Sequence, residues 1–106
     1  MTVLRVCYKH GVRFDEKYYT STHLPLVSAV VGASLKRVEV VRLTSSPDGS
    51  APPFQVMFSA YFDSPAALQA AMQNPRMPEV LGDIPNFFDG MPELFIGEVI
   101  AVSSPA

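Results

Sequence analysis

Residues 54–62 read Phe54-Gln55-Val56-Met57-Phe58-Ser59-Ala60-Tyr61-Phe62. Successive side chains of a β-strand point to opposite faces. One face of this stretch therefore carries Phe54, Val56, Phe58, Ala60 and Phe62, all apolar. The other carries Gln55, Met57, Ser59 and Tyr61, followed by Asp63, and is mixed. Such a strand belongs in an antiparallel sheet with one face under a hydrophobic layer. The next residues, Ser64-Pro65, are a helix start: a capping Ser followed by Pro at the first helical position. A helix is predicted through Gln73, stopped by Asn74-Pro75. Residues 77–88 read as a short, broken helical segment punctuated by Pro78, Gly82 and Pro85. A last strand is predicted over 92–102.

Upstream, residues 45–53 are a turn-rich loop, preceded by a β-branched strand over 35–44. Val3 to Tyr8 is a first strand, with Leu4, Val6 and Tyr8 on one face and Val3, Arg5 and Cys7 on the other. Asp15 is the predicted N-cap of a helix running to about Val31, with Asp15 and Glu16 at the positive end of its dipole. Pro25 lacks an N–H and crowds the preceding turn, so a kink or break is predicted near His23-Leu24, and Gly32 is predicted to end the helix. The order β-α-β-β-α-β is the ferredoxin-like arrangement, an α+β fold with a four-stranded antiparallel sheet and both helices on one face. One domain accounts for residues 1–106.

The uncovered face would hold Cys7, Met57, Tyr61 and apolar residues of the last strand, which is too apolar for water. A second copy packed on it resolves this, so a homodimer is predicted. Composition narrows the function. The chain has 106 residues, 48% hydrophobic and 17% charged, with net charge −2. Its Lys and Arg are scattered, which disfavours nucleic acid. No run is long enough to cross a bilayer, so no membrane role is expected. The start of the chain reads as a strand rather than a signal peptide, and with a single Cys a soluble, cytoplasmic protein is expected. No Gly-rich phosphate loop, cofactor motif or metal-ligand cluster is present, so neither cofactor nor metal is expected.

Candidate chemistry centres on Tyr18-Tyr19-Thr20-Ser21-Thr22-His23-Leu24-Pro25. Tyr19 and His23 are i, i+4 neighbours and share a helix face. His23 titrates near neutral pH and suits acid–base work, with Tyr19 as its hydrogen-bonding partner. Alternatively, His23 ties down a carbonyl freed at the Pro25 kink, and Tyr19 is a core aromatic. Tyr18 lies about 100° round the helix from Tyr19. Arg5 and Tyr61, on the mixed sheet face, are candidates to stabilise an anion, or Arg5 forms an interface ion pair with Glu39 or Glu98. Phe88, with Phe87 and Met72, Met77 and Met91, is a candidate to line an apolar pocket, with core filling the favoured role for most of them.

The combination Phe14-Asp15-x-x-Tyr18-Tyr19-x-x-x-His23-Leu24-Pro25-Leu26-Val27, two central strands, the Phe62-Asp63-Ser64 helix start and a closing strand resembles the EthD family, named for ethyl tert-butyl ether degradation. The resemblance spans nearly the whole chain. It implies a dimeric α+β barrel of ferredoxin-like subunits and points to Tyr18, Tyr19, His23 and Pro25 without assigning their roles. The resemblance does not settle the chemistry. The leading expectation is a protein of a catabolic or secondary-metabolite pathway that binds or acts on a small apolar oxygenated compound by cofactor-free proton transfer. It comes from a titratable His23 near a predicted cleft with no cofactor or metal motif. Cofactor-free monooxygenases and cyclases share the fold, so whether the chain is an enzyme stays open. A non-catalytic protein that delivers a ligand to an oxygenase is the alternative.

Overall fold

In the computed structural model, which describes residues 1–105, alternation along the strands decides the layering. Four strands, β1 (Thr2–Lys9), β2 (Arg37–Arg42), β3 (Phe54–Phe62) and β4 (Glu93–Glu98), form one antiparallel sheet in the order β2-β3-β1-β4. Leu4 pairs with Ala60 and Ile96, and Val6 with Phe58 and Leu94, so these share the face toward the helices. Arg5 pairs with Ser59 and Phe95, and Tyr61 with Val3 and Arg37, on the bare face. The element order and the two-faced sheet match the ferredoxin-like reading.

The first helical stretch begins where the sequence places it. Asp15 caps α1 (Glu16–Tyr18) by accepting from the Tyr18 N–H at 3.1 Å. The predicted break at Pro25 is instead a π-helical segment, Tyr19–His23, running into α2 (Leu24–Val31). The Leu24 N–H reaches back to the Tyr19 carbonyl, an i to i−5 bond. The wider π turn takes in one extra residue ahead of a proline that could not extend an α-helical ladder. The hydroxyls of Thr20 and Ser21 bond the carbonyls of Glu16 and Lys17 at 3.0 and 2.7 Å, supplying local partners in this irregular region. The α-helix ends at Val31 with Gly32 as its C-cap, as expected, but Gly32 keeps a helical φ of −55° and a 3₁₀ turn follows over Gly32–Ser34.

Ser64 caps α3 (Pro65–Met72), its hydroxyl accepting from the Ala67 N–H at 3.1 Å. The broken segment is α4 (Met77–Asp83) and a 3₁₀ turn, Ile84–Asn86. Two strands are shorter than the sequence suggests. β2 covers Arg37–Arg42 and β4 stops at Glu98, where the Val99 N–H makes its last bond, to the Met1 carbonyl. Beyond that, Ile100 and Val102 have no neighbouring strand and lie exposed.

The core has two parts. Leu4, Phe58, Ala60 and Phe62 meet Val30, Val31, Leu68, Ala71, Met77 and Val80. Beside them Tyr8, Tyr19, Ile84, Phe87 and Phe88 form an aromatic cluster with Val56. Rings of Tyr8 and Phe88 meet edge to face at 5.1 Å, a geometry that suits the ring quadrupoles. A backbone bridge between Phe14 and Phe88 and a bond from Asp15 N–H to Phe87 O, at 2.8 Å, pin the turn after α4 against the start of α1. That join positions the candidate site.

Candidate functional site

The π segment and the end of α4 bring His23 and Asp83 together. His23 Nδ1 lies 2.9 Å from Asp83 Oδ2, with the two side chains only 5% and 11% exposed. The other carboxylate oxygen accepts from the Tyr18 hydroxyl at 2.6 Å and from Asn86 Nδ2 at 2.9 Å. Three side chains from two helical regions thus fix one carboxylate. The imidazole is held on its faces too, against Phe87 at 4.5 Å and stacked on Tyr19 at 5.5 Å with 23° between planes.

These surroundings set the charges. Burial pushes the His23 imidazole below its ordinary value of 6.5, and the hydrogen bond and charge of Asp83 offset only part of that. His23 is therefore neutral at pH 7, with its proton on Nδ1 to match the carboxylate acceptor, and its lone pair on Nε2. For Asp83, burial favours the neutral acid. The bonds from Tyr18, Asn86 and His23 outweigh it and hold the carboxyl below its ordinary range. Burial raises the phenols of Tyr8 and Tyr19 well above the ordinary value. Tyr19 tempers the shift of Tyr8, while Tyr8 adds to that of Tyr19.

The hydroxyls of Tyr8 and Tyr19 interact with each other, and Nε2 of His23 makes no hydrogen bond to any described residue, yet no fully buried side-chain nitrogen or oxygen lacks a partner among those residues. Nε2 of His23 therefore reaches open space. The space is a cavity of about 80 Å³ between sheet and helices, lined by all three residues. The rest of its wall is apolar: Leu4, Val6, Phe58 and Leu94 from the sheet, Val27, Val31, Met72, Met77, Val80 and Ile84 from the helical layer.

The residues singled out in the sequence divide between two faces. Tyr19 and His23 meet in the cavity wall as their spacing predicts. Tyr18 points away from the cavity and holds Asp83. Phe88 is absent from the cavity wall and packs in the aromatic cluster. Arg5 and Tyr61 lie across the sheet from His23, so one chain does not assemble them with it. Arg5 donates to Ser59 Oγ at 2.7 Å, and Arg37 sits 5.9 Å over the Tyr61 ring. Met72 and Met77 line the cavity, whereas Met91 is exposed. Asp83, Asn86 and Tyr8 escaped the sequence reading. Asp83 lies 60 residues from His23, and its signal was only an acid between Gly82 and Ile84 in an otherwise apolar, proline-broken segment. Tyr8 shares its sheet face with Leu4 and Val6, the one inner-face residue of β1 with both an aromatic ring and a hydroxyl. Among the described residues no three His, Cys, Asp or Glu side chains are close enough to hold a metal ion.

Known proteins match along almost the whole length. The EthD-domain family model matches residues 12–91, which contain His23, Asp83 and their partners. An EthD-like protein from Ralstonia eutropha JMP134 is 36% identical, with a TM-score of 0.85 over 97% of this chain and 95% of that one. An ethyl tert-butyl ether degradation (EthD) family protein from Bacillus halodurans C-125 is 28% identical, with a TM-score of 0.78 over 94% and 99%. SnoaB, a cofactor-independent oxygenase from Streptomyces nogalater, shares the fold with a TM-score of 0.68 over 95% and 93%, at 13% identity. No curated protein matches the sequence.

Proposed function

Because the chain belongs to the EthD family, we propose that it carries out cofactor-free proton transfer on a small, mostly apolar oxygenated compound, with His23 as the base. One observation carries the reading. A buried imidazole has one nitrogen committed to a carboxylate and the other free toward an apolar cavity. A general base needs a free lone pair, the unprotonated form at the working pH and a fixed direction of approach; burial keeps the His23 imidazole neutral and Asp83 fixes its direction. Asp83 keeps the tautomer and stabilises the imidazolium that forms, so it positions His23 rather than touching the ligand.

The step that fits is removal of a hydrogen from carbon next to a carbonyl. Nε2 takes the proton, the C–H electron pair forms the enolate double bond, and the carbonyl pair moves onto oxygen. Return of the same proton to another carbon completes an isomerisation, and return from solvent is seen as exchange. Small apolar ketones incubated in D₂O, followed by proton NMR, test this. Wild type should exchange the hydrogens beside the carbonyl, and His23→Ala should lose about 10²–10⁴-fold of that rate. Full exchange by His23→Ala would end the assignment.

A homodimer through the bare sheet face is part of the same proposal. Phe95 on one edge strand is 51% exposed there, and Val41 on the other edge strand is 39% exposed. The accessible surface is 6621 Å², against about 5,800 Å² for a monomer of this mass. That excess supports a partner.

A further inference from the structure

We propose that the hydroxyls of Tyr8 and Tyr19 form an oxygen-binding subsite in the cavity, and that its ligand is an uncharged ketone or enol with an apolar body. This deepens the reading of His23 as a base and rests on it only for the chemistry. Both residues are nine-tenths buried and more, at 2% and 1% exposed, and each hydroxyl has only the other as a protein partner. Two phenols bonded only to each other still leave one O–H donor and further lone pairs unused in a buried place, where polar groups ordinarily find partners. Here both residues line the one cavity, with rings 5.7 Å apart and nearly perpendicular.

The chemistry of the wall selects the ligand. No Lys, Arg, Asp or Glu lines the cavity, so a charged ligand would lose its hydration for nothing in return. An apolar molecule gains from the carbon wall, and one oxygen on it satisfies both hydroxyls. Their ionisation lies far above physiological pH, so the phenols remain O–H donors. As His23 Nε2 takes the proton from the adjacent carbon, negative charge gathers on the ligand oxygen, where these donors already stand. Donors placed where charge develops are a large part of catalytic rate enhancement. Tyr8 and Tyr19 are thus catalytic residues along with His23, since all three face the reacting atoms.

Cyclohexanone labelled with ¹³C at the carbonyl is the probe. On wild type the carbonyl resonance should move downfield on binding, as hydrogen-bond donors polarise the C=O. Tyr8→Phe and Tyr19→Phe should each shrink that shift and weaken binding about five- to tenfold, one hydrogen bond apiece. Methylenecyclohexane, the same ring without the oxygen, should bind wild type at least about tenfold more weakly. That comparison needs no variant and decides the matter if either substitution prevents folding. An unchanged shift in both variants, equal binding of the oxygen-free ring, or no binding of the ketone at millimolar concentration would overturn the subsite. His23→Ala separates the two readings. It should keep the carbonyl shift and lose hydrogen exchange, whereas exchange that survives removes the base and leaves the subsite standing.

Discussion

His23 gives up hydration on folding and gains one carboxylate in return, and the balance has a definite sign. Its folded pKa lies below the ordinary 6.5. Between those values the unfolded chain binds a proton that the folded chain does not. Stability from this group is therefore complete above pH 6.5 and falls as pH drops below it. His23→Gln removes the titration, so urea midpoints measured from pH 7 downward should fall less steeply than in wild type. An identical slope would mean that the ring does not lose its water on folding. The reaction obeys the same sign. Proton abstraction needs the neutral ring, so the rate should rise with pH through a midpoint below 6.5. Asp83 pulls that midpoint upward. Asp83→Asn should move it lower still and slow exchange, because a weaker base faces the ligand. A midpoint that stays in place in Asp83→Asn would remove Asp83 from its positioning role.

The π segment is the element on which this geometry turns. Tyr19 and His23 are local neighbours, so their shared face was legible from spacing alone. Pro25 marked an irregularity there, but sequence pointed to a break. The choice of a π turn depends on partners outside the segment: Asp83 on one edge of His23 and Phe87 across its face. Pro25→Ala restores an N–H that can bond the Ser21 carbonyl and draw the segment toward α-helical register. The fold should survive, with hydrogen exchange reduced on the order of ten- to a hundredfold by misplacement of the ring. An unaltered rate would show that the π turn holds without proline. The start of α3 was more legible still, because a cap is a contact over three residues. Ser64→Ala should cost about 1 kcal/mol in urea unfolding, and Ser64→Gly a few tenths. Strand ends were less so: β4 stops at Glu98 although Val99, Ile100 and Val102 are good strand formers, since a strand needs an edge to pair with.

The whole molecule is a slab of 41 × 38 × 20 Å, helices on one side and sheet on the other. Its radius of gyration, 14.6 Å, exceeds the roughly 13 Å of a compact domain this long. A second slab on the bare sheet would restore a normal shape. Wild type should sediment as a dimer at micromolar concentration, and Phe95→Glu should shift it toward monomer by placing a charge in the apolar face. A wild-type monomer would end that proposal.

Alternation along β1 and β3, the caps at Asp15 and Ser64 and the prolines at 25, 65, 75 and 78 were enough to determine the fold and the shared face of Tyr19 and His23. All of these signals act over a few residues, through strand pleat, helix period or a single hydrogen bond. Tertiary structure alone decided that Asp83 meets His23 and that Tyr8 and Tyr19 line the same cavity. Those relations depend on how the layers pack. Pleat, period and caps are written in local spacing, whereas which distant polar atom reaches a buried one is set only when the layers close.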